Sequence, residues 1–441
     1  NPYGCSPRVQ AALGRADSLH IYPDPLNREV RRLLESYTGF PSESIAVGSG
    51  SDELIDNLLR ITLNPGDRVI NCPPTFGMYP FSTHVCGGQT VSVPRKADFS
   101  LDVPAIESAV DGRTRAIFIT SPNNPTGNLA PEGDILRLLG MGLLVVVDEA
   151  YYEFAGETMA PHVRFHPNLV VLRTFSKWAG LAGLRVGYGL MPPEIVDIIY
   201  RMKLPYNITT AAQIAVRETF ADLDRMQGTV RAIVAERERL FSKLKEQGIV
   251  DPIPSRANFI LCRVLRGSAR ELKQALEKRG IFIRYFDTPN LQNMIRISVG
   301  RPEHTDALIA ALRMHRAARA DDALGSPRRP HHADRGGCGR ALRRKVLHRT
   351  CRPRVFRRRH AVRFRPERDH RLSDAGNPRP PLDRLHRPGR GDRGYSGYGA
   401  ALSGDVCLQG DLSVCGRNPS GVLCPEGYCA GRSGPDRKAG G

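Results

Sequence analysis

The sequence predicts an α/β protein: a large domain with a mostly parallel seven-stranded sheet between helices, a small α+β domain after it, and an irregular tail. Three observations predict this. From about residue 45, short β-branched apolar runs alternate with longer helical stretches, the pattern that lets helices cover both faces of a parallel sheet. After about residue 250 the pattern changes to brief strands and two helices. Beyond about 320 apolar periodicity stops, and Arg, Pro and Gly dominate.

Taken in order, residues 1–40 have little core of their own and are read as an arm or part of the small domain. The chain opens at Asn1 inside a loop-like Asn-Pro-Tyr-Gly, so a short segment is expected to precede it. The large domain is expected over 41–250. Its strand candidates are 44–47, 68–72, 90–93, 115–120, 143–148, 169–173 and 185–190, seven in all, with the intervening turns at carboxyl ends, where open α/β sheets bind ligands. Gly48 to Glu53 should lead into an amphipathic helix through Leu63, and one long helical stretch should cover 210–247. In the small domain, 251–318, strands are expected at 258–264, 281–285 and 294–299, with helices at 268–279 and 302–316.

Charge divides the 441 residues as patterning does. Of the net +19, residues 321–441 hold 26 basic against 12 acidic groups, while the first 320 hold 38 against 33. The high isoelectric point is thus a property of the tail and says little about what the body binds. Only Lys345 and Lys438 of those 26 are lysine, and Arg, Pro, Gly and His enrichment of this kind is what GC-rich DNA encodes out of frame. Residues 319–441 are accordingly expected to be disordered or a frameshift product. Cys5, Cys72, Cys86 and Cys262 are sparse and lie in apolar runs, which suits a reduced cytoplasmic protein. No run approaches 18 apolar residues, so no membrane association is expected, and neither body nor tail shows a regular metal-ligand spacing.

The candidate chemistry sits at strand ends. Lys177, in Thr174-Phe175-Ser176-Lys177, follows the strand 169–173; partly desolvated, its amine becomes a nucleophile and proton shuttle, although a lone lysine there is more often ordinary surface. Asp148 ends the run 143–147 and carries a carboxylate from a buried strand to the sheet edge, where it needs a cation or serves as a helix cap. Tyr151 lies three residues on. Ser121 to Gly127 is a turn whose Asn124 can reach a ligand or merely shape the turn. Gly48-Ser49-Gly50-Ser51-Asp52-Glu53 resembles an anion nest, with free N–H groups at Ser51 and Asp52 before a helix. Ser176 and Arg185 would add a hydroxyl and a guanidinium to the same anion, and Phe76 could stack on a flat ring. An imine-forming amine, a carboxylate for a ring nitrogen, a phosphate cradle and an aromatic face are the needs of a pyridoxal-type coenzyme.

These segments, with Asn1-Pro2-Tyr3-Gly4, Tyr22-Pro23-Asp24-Pro25, Pro73-Pro74-Thr75-Phe76-Gly77-Met78-Tyr79, Leu181 to Gly187 and Ile295 to Gly300, stand in order over residues 1 to about 316. By them the chain resembles the class I/II aminotransferases of PLP fold type I, most closely the histidinol-phosphate aminotransferases. The resemblance implies pyridoxal 5'-phosphate on Lys177, with Asp148 at the ring nitrogen and Tyr151 and Asn124 at the ring hydroxyl. It implies a homodimer in which Tyr22 reaches the coenzyme phosphate of the other subunit. It further implies that Arg296 pairs with the substrate α-carboxylate together with Asn124, and that Tyr3 and Arg284 hold the substrate phosphate. By alternation alone Arg284 would face solvent. The implied reaction is amino transfer between histidinol phosphate and 2-oxoglutarate in histidine biosynthesis. A threonine-phosphate decarboxylase or an aromatic aminotransferase would share the fold and the lysine. From another class, the Arg-rich tail would make a nucleic-acid-binding protein.

Overall fold

The computed structural model describes residues 1–323, and side chains through residue 317. The frameshift and nucleic-acid expectations for the tail lie outside the described residues. The large sheet is built from β1 (Ile45–Gly48), β2 (Arg68–Asn71), β3 (Gln89–Ser92), β4 (Thr114–Thr120), β5 (Leu144–Asp148), β6 (Leu169–Thr174) and β7 (Gly187–Leu190). Their order is β1-β7-β6-β5-β4-β2-β3. From β6 to β3 all neighbours are parallel; β7 runs antiparallel to both β6 and β1. The small sheet holds β8 (Val250–Pro252), β9 (Phe259–Val264), β10 (Arg284–Tyr285) and β11 (Met294–Ser298), antiparallel in the order β10-β11-β9-β8.

Twelve helices are described: α1 (Pro7–Gly14), α2 (Arg28–Thr38), α3 (Gly50–Thr62), α4 (Met78–Val85), α5 (Val103–Ala109), α6 (Glu132–Leu139), α7 (Tyr152–Ala155), α8 (Pro193–Met202), α9 (Thr210–Phe220), α10 (Leu223–Gln247), α11 (Ala269–Glu277) and α12 (Pro302–Ala323). The central strands read as unbroken apolar runs because both their faces are covered. Val145 and Val147 enter one core cluster with Leu169 and Val171, while Val146 enters another with Val170 and Leu172. Each such side chain removed from water contributes roughly 1.5–3 kcal/mol. This double burial fixes the register of β4, β5 and β6, and so the places where their carboxyl ends deliver side chains.

The seven strand candidates of the large domain appear within about two residues of their expected bounds. Elsewhere the structure differs from the sequence reading. The helical stretch 210–247 is broken at Ala221 and Asp222; Ser6 Oγ donates to Asp222 Oδ2 at 2.5 Å, so α10 begins without a side-chain cap from Asp222. The strand expected at 281–285 shrinks to Arg284 and Tyr285, because Ile281 N–H turns back to the Leu276 carbonyl of α11. The last helix continues past 316 to Ala323. The arm packs through α1 and α2 on α9 and β1, with Val9, Val30 and Leu34 fully buried. Among the described residues no helix is long and apolar enough to cross a membrane.

Candidate active site

The carboxyl ends of β4, β5 and β6 bring the sequence candidates together. Asp148, the last residue of β5, is buried; its Oδ1 accepts the Ala150 N–H at 3.0 Å and its Oδ2 lies 2.7 Å from the Tyr79 hydroxyl, which donates to it when the carboxylate is ionised. Burial raises the Asp148 pKa above the usual carboxylate range, against the pull of its hydrogen bonds and of Lys177. Lys177, three residues beyond β6, holds its amine 5.8 Å from the Tyr151 ring centre. Burial lowers this amine below the usual lysine range; Asp148 opposes that shift, Arg296 adds to it, and Asp52 and Arg185 act more weakly. One half-buried ammonium therefore feels all four charged candidates.

Tyr151 packs edge-on against Phe259 at 5.1 Å, and burial pushes its hydroxyl up to about 12. Asn124 accepts from Arg296 Nη1 at 2.5 Å, so the turn after β4 is tied to β11. The adjacent Asn123 is fully buried and donates to the Pro74 carbonyl, a structural role. Arg296 lies 4.9 Å from the Phe259 ring, and its buried Nε has no hydrogen-bond partner among the described residues. Arg284 is exposed, as its alternation suggests, and stands directly across from Arg296 in the β10–β11 register. Two like charges facing across a strand pair are unfavourable unless an anion joins them.

At the other side of the site, α3 starts at Gly50 in the left-handed region, with Ser51 and Asp52 in its first turn. Arg185, itself at φ 53°, bonds Asp52 at 2.7 Å. A Cβ at Gly187 would stand 2.4 Å from Ser51 N, so the nest keeps its shape only with glycine there. Ser176 Oγ accepts from Thr174 Oγ1 at 3.0 Å at the neck of the Lys177 turn. Phe76 is half-buried and edge-on to Tyr79 at 5.5 Å, leaving part of its ring free.

Tyr3 and Tyr22 stand apart from this set. Tyr3 lies under Arg301 at 5.0 Å; its loop reaches the Lys177 turn through Asn1 Nδ2, which donates to the Trp178 carbonyl at 2.6 Å. Tyr22 is 76% exposed and stacks on Tyr206 at 4.4 Å, beside exposed Leu19 and Ile21.

Two positioning features escaped the sequence reading. Tyr79, the last residue of the Pro73 to Tyr79 stretch, meets both Asp148 and Thr120 through its hydroxyl. Arg173 and Glu149 form a buried ion pair at 3.0 Å, with Arg173 3.5 Å from the Tyr152 ring centre. Glu149 follows Asp148, and Arg173 precedes Lys177 by four residues, so the pair ties together the two strand ends that carry these candidates. A buried charge needs a buried partner; an Arg ending one apolar strand and a Glu ending its neighbour was the available signal. Among the described residues no three of His, Cys, Asp or Glu converge as metal ligands.

The aminotransferase class I and II family model matches residues 1–312. A histidinol-phosphate aminotransferase of Dehalococcoides mccartyi (strain ATCC BAA-2266 / KCTC 15142 / 195) is 52% identical over 312 residues, 71% of this chain and 87% of that protein. The chloroplastic histidinol-phosphate aminotransferase of Nicotiana tabacum is 47% identical over 316 residues, 71% of this chain and 76% of that one. Among solved structures, histidinol-phosphate aminotransferase from Sinorhizobium meliloti in complex with pyridoxal-5'-phosphate superposes with a TM-score of 0.65 at 27% identity, covering 71% of this chain and 89% of that one.

Proposed function

We propose a role for each residue of the site from the premise that the chain belongs to the aminotransferase class I and II family. It is a pyridoxal-phosphate-dependent aminotransferase of histidine biosynthesis. Its reaction is amino transfer from histidinol phosphate to 2-oxoglutarate, giving imidazole acetol phosphate and glutamate. The observation that carries this reading is convergence: one half-buried lysine amine lies in the field of Asp148, Arg296, Asp52 and Arg185 at once.

The residues present fit the coenzyme. The nest at Gly50 to Asp52 closes against Gly187 with no room for a Cβ there, the tight main-chain cradle a phosphate needs. When bound, pyridoxal phosphate supplies a carbonyl carbon that condenses with amines and a ring that takes up electron density. Lys177 holds it through Nζ and, when free, accepts and returns a proton at that atom; burial helps by making the neutral amine accessible. Asp148 holds positive charge at the ring nitrogen. Tyr151 and Asn124 orient the ring hydroxyl, and Phe76 covers a ring face. Ser51 and Asp52 offer main-chain N–H groups to the phosphate, with Ser176 and Arg185 adding a hydroxyl and a guanidinium.

Substrate selection falls to the small-domain side. Arg296, braced by Asn124, takes the α-carboxylate of 2-oxoglutarate or glutamate two-pronged. Arg284, across the strand pair, takes the phosphate of histidinol phosphate with Tyr3, and that phosphate relieves the repulsion between the two guanidiniums. The exposed apolar surface around Tyr22 and Tyr206 supports a homodimer in which the partner subunit's Tyr22 completes the phosphate site. The four free cysteines among the described residues suit a cytoplasmic protein. Comparing glutamate formation from histidinol phosphate and 2-oxoglutarate with carbon dioxide release from phosphothreonine tests the assignment. Amino transfer without decarboxylation supports it; decarboxylation in its place overturns it.

A further inference from the structure

Asp148 is the end of a row of hydroxyls. Its Oδ2 lies 2.7 Å from the Tyr79 hydroxyl, which is 2.7 Å from Thr120 Oγ1, which is 3.1 Å from Thr75 Oγ1, which donates over 2.9 Å to Asn123 Oδ1. The far end has a fixed sense. Asn123 Nδ2 donates to the Pro74 carbonyl at 2.9 Å and to Thr126 Oγ1 at 2.7 Å. Thr126 in turn donates to Asn128 Oδ1, and Asn128 Nδ2 donates to the Phe99 carbonyl at 3.0 Å. Main-chain carbonyls only accept, so both amides are oriented and Asn123 Oδ1 is an acceptor.

Four contacts join Asp148 to Asn123, and the three hydroxyls between them carry one proton each. With Asp148 ionised, both ends accept, and one of the four contacts has no proton. With a proton on Oδ2, Asp148 donates to Tyr79, Tyr79 to Thr120, Thr120 to Thr75 and Thr75 to Asn123, and every contact is filled. Oδ1 already accepts from the Ala150 N–H, which leaves Oδ2 for the proton.

We propose that Tyr79, Thr120 and Thr75 form a directional hydroxyl relay that keeps Asp148 protonated in the coenzyme-free chain, with Tyr79 as the positioning residue that couples the relay to the carboxyl. The relay stores one proton beside the place where the ring nitrogen is to lie, and reverses its sense when Asp148 gives that proton up. The other groups facing Asp148 pull in both directions: Lys177 after β6 favours the ionised form, Asp52 on α3 disfavours it, and Tyr151 after β5 stands close by. The burial of Asp148 works in the same direction as the relay. The proposal rests on the coenzyme reading only for its use; the proton count belongs to the protein alone.

Infrared titration of the coenzyme-free full chain tests it, following the protonated-carboxyl band that is absent in Asp148→Asn. The band is expected to persist above the ordinary aspartate range of about 4. Thr75→Val removes the contact that competes for the third proton, so the two remaining hydroxyls satisfy an ionised Asp148; the midpoint should fall by about one pH unit, the worth of one buried hydrogen bond. Thr75→Ser keeps the hydroxyl and should leave the midpoint in place. Tyr79→Phe strips Oδ2 of its partner and should move the midpoint up, the opposite direction. A wild-type band that titrates near 4, a Thr75→Val midpoint that stays or rises, or equal shifts for Val and Ser would each overturn the relay. If Tyr79→Phe does not fold, the Thr75 pair still decides. Loss of the relay behaviour with coenzyme still captured at Lys177 rejects this inference alone. The expected titrations without coenzyme capture reject the coenzyme reading alone.

Discussion

Replacing Arg296 should weaken catalysis while leaving the coenzyme-free fold as stable or more so. Its guanidinium lies 4.9 Å from the Phe259 ring centre and 6.0 Å from that of Phe286, and donates to Asn124 at 2.5 Å. Its Nε is buried without a partner among the described residues, and Arg284 faces it across the strand pair. An unmade buried hydrogen bond costs about 1–3 kcal/mol, and burial and Arg284 both disfavour the charge. Arg296→Met removes these penalties and keeps the apolar packing, so the melting temperature of the coenzyme-free protein should stay level or rise. On the substrate side, the proposed pairing with the α-carboxylate of 2-oxoglutarate makes two charge-assisted bonds, worth about 1.5–3 kcal/mol each. Their loss should lower kcat/KM roughly 10²- to 10⁴-fold. Arg296→Lys keeps the charge without the fork and should fall between. Steady-state kinetics with 2-oxoglutarate as the varied substrate and thermal melts of the coenzyme-free protein read both effects. A Met variant that melts markedly lower yet keeps kcat/KM within about threefold of the parent would show that Arg296 is structural.

Three further outcomes follow from the geometry. Burial lowers the Lys177 amine, so coenzyme capture, followed by absorbance against pH, should reach half its limiting rate below the usual lysine range of about 10.4; capture tracking that ordinary value would mean the amine is solvated. Glu153, whose carboxylate oxygens are buried without partners among the described residues, is pushed up to about 8 by burial. Its folded pKa lies above the unfolded value of about 4.3, so the stability it gives is complete below that pH and is lost as pH rises through about 8. Glu153→Gln should therefore melt a few degrees higher than the parent near pH 9 and about the same near pH 4, and equal differences at both pH values would contradict the burial. Gly187→Ala places a methyl 2.4 Å from Ser51 N, and should weaken coenzyme binding at least about tenfold by equilibrium dialysis while the chain stays folded; unchanged affinity would mean the nest is not the phosphate cradle.

The parts of this molecule that were legible in its sequence are those governed by local pattern. The strands 115–120, 143–148 and 169–173 announce themselves because burial on both faces forces continuous apolar runs, and the candidate residues follow directly at their ends. What stayed hidden depends on partners far away in the chain. The break at Asp222 is tied to Ser6, 216 residues distant. The β8 strand is three residues containing Asp251 and Pro252, with no periodicity to read. Tyr79 stands in the sequence only as the last residue of the Pro73 to Tyr79 stretch; its hydroxyl acquires meaning only when β5 brings Asp148 to within 2.7 Å. The cross-strand meeting of Arg284 and Arg296 needed the register of β10 and β11, which alternation alone does not fix.

The central claim is that Lys177 and Asp148 serve one and the same coenzyme ring. Borohydride reduction of the coenzyme-loaded chain, followed by peptide mass spectrometry, tests it most directly. The coenzyme should be fixed to Lys177 Nζ with its visible absorbance lost, and in Asp148→Asn the label should stay on Lys177 while the pH dependence of the absorbance before reduction changes. A label on another lysine, or a spectrum indifferent to Asp148→Asn, would contradict it.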